Sequence, residues 1–114
     1  MTKPPSPPSP LSDLAFHILL ALGEGPSHGY AIGKDVEDQS AGRLDPTTGA
    51  LYQALRRLTE EGLIVPVSGP EDTDARRNYF ALTRQGRRAA AHEARRLEGL
   101  VRAARQRKLF PERA

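Results

Sequence analysis

Length, composition and charge restrict the classes to which this protein can belong. Its 114 residues allow one compact domain with tails, and an apolar content of 38% indicates a modest core that dimerisation would enlarge. Cysteine is absent, which excludes disulfides, thiol catalysis and cysteine-based metal sites. No apolar run approaches the roughly 18 residues of a membrane span, and the N-terminus lacks the apolar core of a secretion signal, so we expect a cytoplasmic protein.

The net charge of +3 is distributed unevenly along the chain. Residues 1–45 carry three basic and six acidic side chains, and residues 46–82 carry four basic and five acidic ones. Residues 83–114 carry ten basic and three acidic side chains, a net charge of +7. The basic character therefore comes from the C-terminal segment, and by itself it is a weak argument for nucleic-acid binding.

Two helices are predicted after a proline-rich tail at residues 1–10. The first spans about 12–23, begins at a Ser12 cap, and has an apolar face made of Leu14, Ile18, Leu19 and Leu22. The sequence Glu24-Gly25-Pro26 ends it. The second helix is expected from a cap at Ser27 to about residue 40, with three residues in the core: Tyr30, Ile32 and Val36.

The third predicted helix carries the strongest functional pattern. Asp45 is its expected N-cap, Pro46 its first residue and Gly62 its left-handed terminator. Leucines at helical spacing give it one face to bury: Leu51, Leu55 and Leu58. The opposite face carries hydroxyls, an amide and guanidiniums, which bind phosphates and read base edges: Thr47, Thr48, Tyr52, Gln53, Arg56 and Arg57. This pattern predicts a DNA recognition helix.

A β-hairpin and a long last helix complete the predicted fold. The strands are expected at residues 63–67 and 77–82, and Thr83 would cap a helix that reaches about Lys108. The order predicts a mainly α fold with a small β-hairpin. In it, a winged helix-turn-helix at residues 11–83 is followed by a long C-terminal dimerisation helix at 84–109 and a tail at 110–114.

The last helix has small and apolar residues at alternating spacings of four and three. They form a short heptad-like seam, which Leu100 widens: Ala90, Ala94, Leu97, Val101 and Ala104. The seam could pack on the chain's own core. The helix extends beyond what so small a core can cover, which favours a partner helix and hence a homodimer.

Three sets of residues together form a specific sequence pattern because of their order and spacing, although each set alone is weak evidence. They are residues 18–30, then 49–52 with 55–58 and 61–64, then 74–83 with Gly86. Through them the chain resembles the PadR-like family of transcriptional regulators over roughly residues 13–105. The resemblance implies a dimeric winged-helix repressor of double-stranded DNA, with a pseudo-palindromic operator, that responds to a small-molecule effector or stress.

The resemblance also has implications for the dimer and for the ligand. Members with short C-terminal tails dimerise through the first and last helices, which implies an interface containing Leu14 and Ile18 together with the seam. Some members stack planar drugs on a tryptophan in the dimer pore. This chain has no tryptophan, so that mode of ligand binding is not expected here.

Several candidate DNA contacts also have a structural interpretation. His28 either meets the DNA backbone at the start of the second helix or is structural, and Tyr52 either packs beside Leu55 or points at a phosphate. Arg56 and Arg57 either meet DNA or pair with glutamates one turn further along. The wing arginines are Arg76 and Arg77. They either hold phosphates, enter the minor groove, or pair with the acidic loop before them.

No enzyme, metal site or cofactor is predicted. The three histidines share no ligand spacing, and no nucleophile motif, phosphate-binding glycine loop or pair of catalytic carboxylates is present. The alternative to a DNA-binding repressor is a winged helix used only as a protein-interaction module. The weak charge of residues 46–82 favours that alternative, and a salt series of DNA binding separates the two.

Overall fold

The computed structural model describes residues 11–70 and 78–111. Its elements are α1 (Asp13–Ala21), β1 (Ser27–His28), α2 (Gly29–Gln39), α3 (Thr48–Glu60), β2 (Ile64–Val67), β3 (Tyr79–Leu82) and α4 (Arg84–Gln106). The predicted order of three helices, a hairpin and a long helix is confirmed, with ends that differ by at most two residues. Within the described residues, no helix is both long and apolar enough to cross a membrane.

The core lies where the first three helices meet, and β2 and β3 close one side of it. Its members recur at helical spacing along each helix, so each helix contributes one apolar stripe. Burial of each such side chain contributes roughly 1.5–3 kcal/mol. The buried set is Ile18, Leu19, Leu22, Ile32, Val36, Leu51, Leu55, Leu58, Ile64 and Phe80.

A short strand that the sequence did not predict precedes α2. Ser27 and His28 pair antiparallel with β3, so the hairpin is part of a three-stranded sheet of order β1-β3-β2. The predicted cap at Ser27 is wrong because this residue belongs to the strand. His28 caps α2 instead, with its Nδ1 accepting a hydrogen bond from the Ala31 amide at 3.3 Å.

The N-cap of α3 also differs from the prediction. Thr47 has extended backbone angles, and its Oγ1 accepts a hydrogen bond from the Ala50 amide at 3.1 Å. Asp45 and Pro46 precede the helix, because the cap must lie three residues before the amide it binds. The predicted end is confirmed, since Gly62 adopts the left-handed conformation with φ +78°.

The start of α4 is fixed to the end of α3. The Thr83 hydroxyl caps α4 by accepting from the Gly86 amide at 3.0 Å, as predicted, and it also donates to the Gly62 carbonyl at 2.6 Å. Gly86 is buried, and a Cβ at this position would collide with the carbonyl oxygen of Leu63. Only glycine therefore allows the first turn of α4 to lie this close to the chain that leaves α3.

Three residues assigned to the dimer interface pack on the core of their own chain. Ile18 has no exposed surface and belongs to the core, so the prediction that it contacts a partner is wrong. Ala90, and Leu14 on α1, are partly buried against the same core. The first part of the apolar stripe of α4 therefore packs on its own domain, and a contact of Ala90 with a partner stays a prediction.

The second half of α4 extends away from the domain as an arm. Leu100 is 55% exposed and Val101 is 39% exposed, and the molecule measures 54 × 52 × 23 Å along its principal axes. The helix ends at Gln106, two residues before the predicted end, because Lys108 takes a positive φ of 60° and closes the last turn.

Glu93 is the one buried charged residue in the described core, with 4% of its surface exposed. Both of its carboxylate oxygens accept hydrogen bonds from Arg96, at 2.9 and 2.6 Å. The Arg96 guanidinium lowers the pKa of the Glu93 carboxyl below its ordinary value of 4.5. The ionised form of Glu93 is therefore the form that the fold favours.

This pair predicts a pH-dependent contribution to stability. A group whose folded-state pKa is lowered stabilises the fold above its unfolded pKa, and loses that contribution as pH falls through the folded value. We expect Glu93→Gln to lower the free energy of unfolding at neutral pH, and the difference from wild type to shrink as pH falls below about 4.5 and through the lowered folded-state pKa. Urea unfolding across this range measures it.

The exposed pair on the same helix provides the control. Glu98 lies 3.5 Å from Arg102, and both side chains are more than two-thirds exposed. Exposed pairs contribute little, so Glu98→Gln should leave stability almost unchanged at every pH. Equal, pH-independent losses for both variants would contradict the stabilising role of ionised Glu93.

Candidate nucleic-acid interface

Helix α3 separates its side chains into a buried face and an exposed face. Its leucines are at most 6% exposed, while the predicted donors on the other side are exposed to solvent. The exposed set is Thr47, Thr48, Tyr52, Gln53, Arg56 and Arg57. The hydrophobic pattern read from the sequence therefore placed these donors on the surface correctly.

The two arginines of α3 have no ionic partner within the described residues. The ion pairs found there join Arg43 to Asp13, and link α4 residues to each other, at distances of 2.6–3.5 Å. Neither Arg56 nor Arg57 pairs with the glutamates one turn further along. Their guanidiniums remain available for phosphates or base edges.

Tyr52 is not buried beside Leu55, and a contact between its hydroxyl and a phosphate stays a prediction. Its ring lies across Gly29 at the start of α2, where an added Cβ would be 2.6 Å from Oη and 2.9 Å from Cζ. The side chain is 41% exposed, so it is not a core residue. Tyr52 joins α2 to α3 while part of its surface remains accessible.

A slot of about 260 Å³ lies between α2 and the first turn of α3. Its polar lining includes the hydroxyls of Tyr30, Thr48 and Tyr52 and the ammonium of Lys34. Carboxylates also line it: Glu37 and Asp45. Residues that carry hydroxyls, from both helices, therefore line a slot beside the exposed face of α3.

Tyr30 is 70% exposed, so its predicted place in the core is wrong. It lies two residues before Ile32, which puts it about 200° away around the helix, on the side opposite the core stripe. Tyr30 and Lys34 are one turn apart on that exposed side. Their spacing, out of phase with Ile32 and Val36, is the signal by which the sequence could have identified them as surface residues.

His28 has a structural role. Besides capping α2, its ring packs edge-on against Tyr79 of β3, with centroids 5.2 Å apart and an interplanar angle of 76°. These contacts connect the recognition helices to the sheet. A contact between His28 and DNA stays a prediction.

The wing arginines lie outside the described residues. Arg76 and Arg77, and the acidic loop before them, belong to residues 71–77. The last described pairing of the hairpin joins Val67 to Tyr79, which also contacts His28. The base of the wing therefore adjoins the start of α2, on which Tyr30 lies.

A second groove, of about 670 Å³, separates the start of α1 from α3. Apolar side chains from both helices line it, among them Leu14 and Leu58. Charged residues of α3 line it too, including Arg56 and Glu60. This groove connects the helix assigned to the dimer interface with the helix that carries the exposed donors.

These features define a winged helix-turn-helix protein whose third helix presents hydrogen-bond donors to solvent. Residues 18–92 match the family described as "Transcriptional regulator PadR-like family". The chain belongs to this family of transcriptional regulators.

Individual relatives agree with the family assignment. An uncharacterised 37.1 kDa protein in transposon TN4556 of Streptomyces fradiae is 40% identical over 93 residues, which is 79% of this chain and 25% of that protein. A solved transcriptional regulator from Clostridium thermocellum is 27% identical with a TM-score of 0.68, covering 82% of this chain and 87% of its own. Bacillus subtilis PadR, solved in complex with operator DNA, shares the fold at 24% identity and a TM-score of 0.60, over 69% of this chain and 45% of that one.

Proposed function

We propose that the protein is a homodimeric transcriptional repressor that binds a pseudo-palindromic site in double-stranded DNA and is released by a small molecule or a stress signal. The observation that carries the proposal is the division of α3 into a buried leucine face and an exposed face of donors, whose arginines have no ionic partner within the described residues. Membership of a family of transcriptional regulators supports it. The protein would act in the cytoplasm, on operator DNA.

The shape of α3 suits insertion into the major groove. Its 13 residues make a helix of about 20 Å, and the groove of B-DNA, roughly 12 Å wide, admits a helix. Thr47 and Thr48 lie at the positive end of the helix dipole, where phosphates are favoured. Gln53 and Arg56 lie one turn apart further along, and amide and guanidinium groups form bidentate pairs with base edges.

The exposed arm supports a dimer formed through α4. The apolar stripe that packs Ala90 on its own core continues along the same side of the helix, past the end of the domain. There it contains Leu97, Leu100 and Val101, and the last two are exposed large apolar side chains. A second arm related by a two-fold axis would cover this stripe.

A two-fold dimer accounts for both operator symmetry and release. The two α3 helices would enter successive major grooves, roughly 34–36 Å apart. Because Thr83 and Gly86 fix the start of α4 to the end of α3, a change in the crossing of the arms would change that separation. An effector releases DNA only if it binds the two arrangements with different affinity, and the groove between α1 and α3 is a candidate place for it.

The base and backbone contacts can be tested separately. We expect Gln53→Ala and Arg56→Ala to cost about 1–3 kcal/mol in operator binding and to relax sequence preference, because each removes a base-edge contact. Arg76→Ala and Arg77→Ala should weaken binding to all sequences, and each should reduce the slope of log affinity against log salt by about one if its guanidinium neutralises a phosphate. Fluorescence anisotropy on selected and scrambled duplexes in a salt series measures both effects.

The outcome also separates the repressor from a protein-interaction module. Wild-type binding with a steep salt dependence indicates phosphate contacts, whereas no binding to any duplex favours the module. If all four variants bind the selected duplex as the wild type does, with unchanged circular dichroism, the assignment of this face to DNA is wrong.

The arm interface makes a separate prediction. Leu97→Asp with Val101→Asp places two unpaired charges in the proposed seam, so the variant should be monomeric or aggregate and should lose operator affinity. Sedimentation at tens of micromolar, where we expect a dimer for the wild type, measures the oligomeric state.

A matched variant controls for the added charge. Gly99 and Gln106 lie about 180–200° around α4 from Leu97, on the side opposite the seam. Gly99→Asp with Gln106→Asp changes the net charge equally and should leave the dimer intact. A monomeric wild type, or equal dissociation of both double variants, would contradict an interface at this seam.

A further inference from the structure

Two glycines on one side of α2 allow it to approach α3 closely. Gly29 and Gly33 lie one turn apart, and they face consecutive residues of α3. A Cβ on Gly29 would be 2.6 Å from the Tyr52 hydroxyl oxygen, and a Cβ on Gly33 would be 3.2 Å from the Leu51 side chain. Both contacts depend on the absence of a side chain on α2.

The two contacts differ in what they constrain. Leu51 is 6% exposed and belongs to the core, so the contact at Gly33 is part of the packing of the fold. At Gly29 the nearest atoms belong to the far end of a flexible, partly exposed side chain. A methyl group there would be accommodated by rotation of the phenol, without movement of either helix.

The position of the phenol determines what its hydroxyl can contact. Where it lies now, Tyr52 lines the slot of about 260 Å³ together with Tyr30, Lys34 and Thr48. Hydroxyl and ammonium donors of this kind bind the phosphates of DNA. Glu37 and Asp45 also line the slot, so its net charge does not attract an anion, and binding has to depend on the direction of the donors.

We propose that Gly29 is a positioning residue for DNA binding, which holds the Tyr52 phenol over the start of α2 so that its hydroxyl donates to a backbone phosphate seated in the slot beside Tyr30 and Lys34. The inference rests on the proposed function. It adds a contact from the junction of α2 and α3 to those made by the exposed face of α3. Gly29 itself touches no DNA in this account.

A double-mutant cycle tests the proposal. Gly29→Ala and Tyr52→Ala should each lower affinity for the selected operator by about tenfold, the loss expected for one hydrogen bond to a charged group. Because both act through the same phenol, the double variant should bind no more weakly than Tyr52→Ala alone. Phosphate contact also predicts a similar relative loss on a scrambled duplex and a smaller salt slope.

Two further variants keep the test decisive. Gly99→Ala, on the exposed side of α4 opposite the seam, makes the same substitution where an added Cβ meets nothing within 4 Å, and it should bind as the wild type does. Tyr52→Phe keeps the ring and removes only the hydroxyl, so it tests the contact even if Gly29→Ala fails to fold. It should lose affinity with an unchanged Tm.

The possible failures are distinguishable. If Tyr52→Phe, or folded Gly29→Ala, binds as the wild type does while Arg56→Ala loses affinity, the positioning role is wrong and the proposed function stands. Additive losses in the cycle would show that Gly29 acts independently of Tyr52, which also overturns the inference. If Arg56→Ala and Gln53→Ala have no effect either, the proposed function itself fails.

Discussion

Burial of the leucine face of α3 is the constraint on which the rest of the structure depends. Leu51, Leu55 and Leu58 pack against α1, α2 and the sheet, and truncation of any of them would cost about 2–5 kcal/mol. With these three positions buried, helical geometry places the threonines, Gln53 and the arginines on the exposed face. The same packing that stabilises the domain therefore aligns the donors proposed to meet DNA.

Contacts connect α3 to its neighbours near both ends, and those at its C-terminal end tolerate little change. At its start the Tyr52 ring lies on Gly29, and at its end Thr83 binds the Gly62 carbonyl while Gly86 lies against Leu63. Helix α3 and the beginning of α4 are thus joined directly by these contacts. In a dimer formed through the arms, this connection would convert a small change at the seam into a change in the distance between the two α3 helices.

The sequence predicted most features that depend on local periodicity, although it misplaced the caps of α2 and α3. The core stripes, the Thr83 cap and the Gly62 terminator follow from neighbours a few residues apart. The strand at Ser27 was missed, because two residues show no alternation and their pairing with β3 depends on a distant segment. The predicted burial of Tyr30 was wrong because a short apolar pattern does not say which side of a helix a neighbouring surface covers. Ile18, which the resemblance assigned to the dimer interface, is covered by its own chain. Specific DNA contacts and the dimer involve partners outside the chain, so they stay proposals.

The central claim is that two α3 helices, held apart by one arm interface, read two half-sites together. Binding affinity for duplexes that differ only in half-site spacing tests it most directly, using an operator selected from random-sequence DNA. Inserting about 5 base pairs, half a helical turn, should abolish cooperative recognition because the second half-site then faces away. Inserting about 10 base pairs should return the second half-site to the same side of the duplex. It should not restore the affinity, because the arms fix the distance between the two α3 helices. Affinity that is indifferent to spacing would contradict the account.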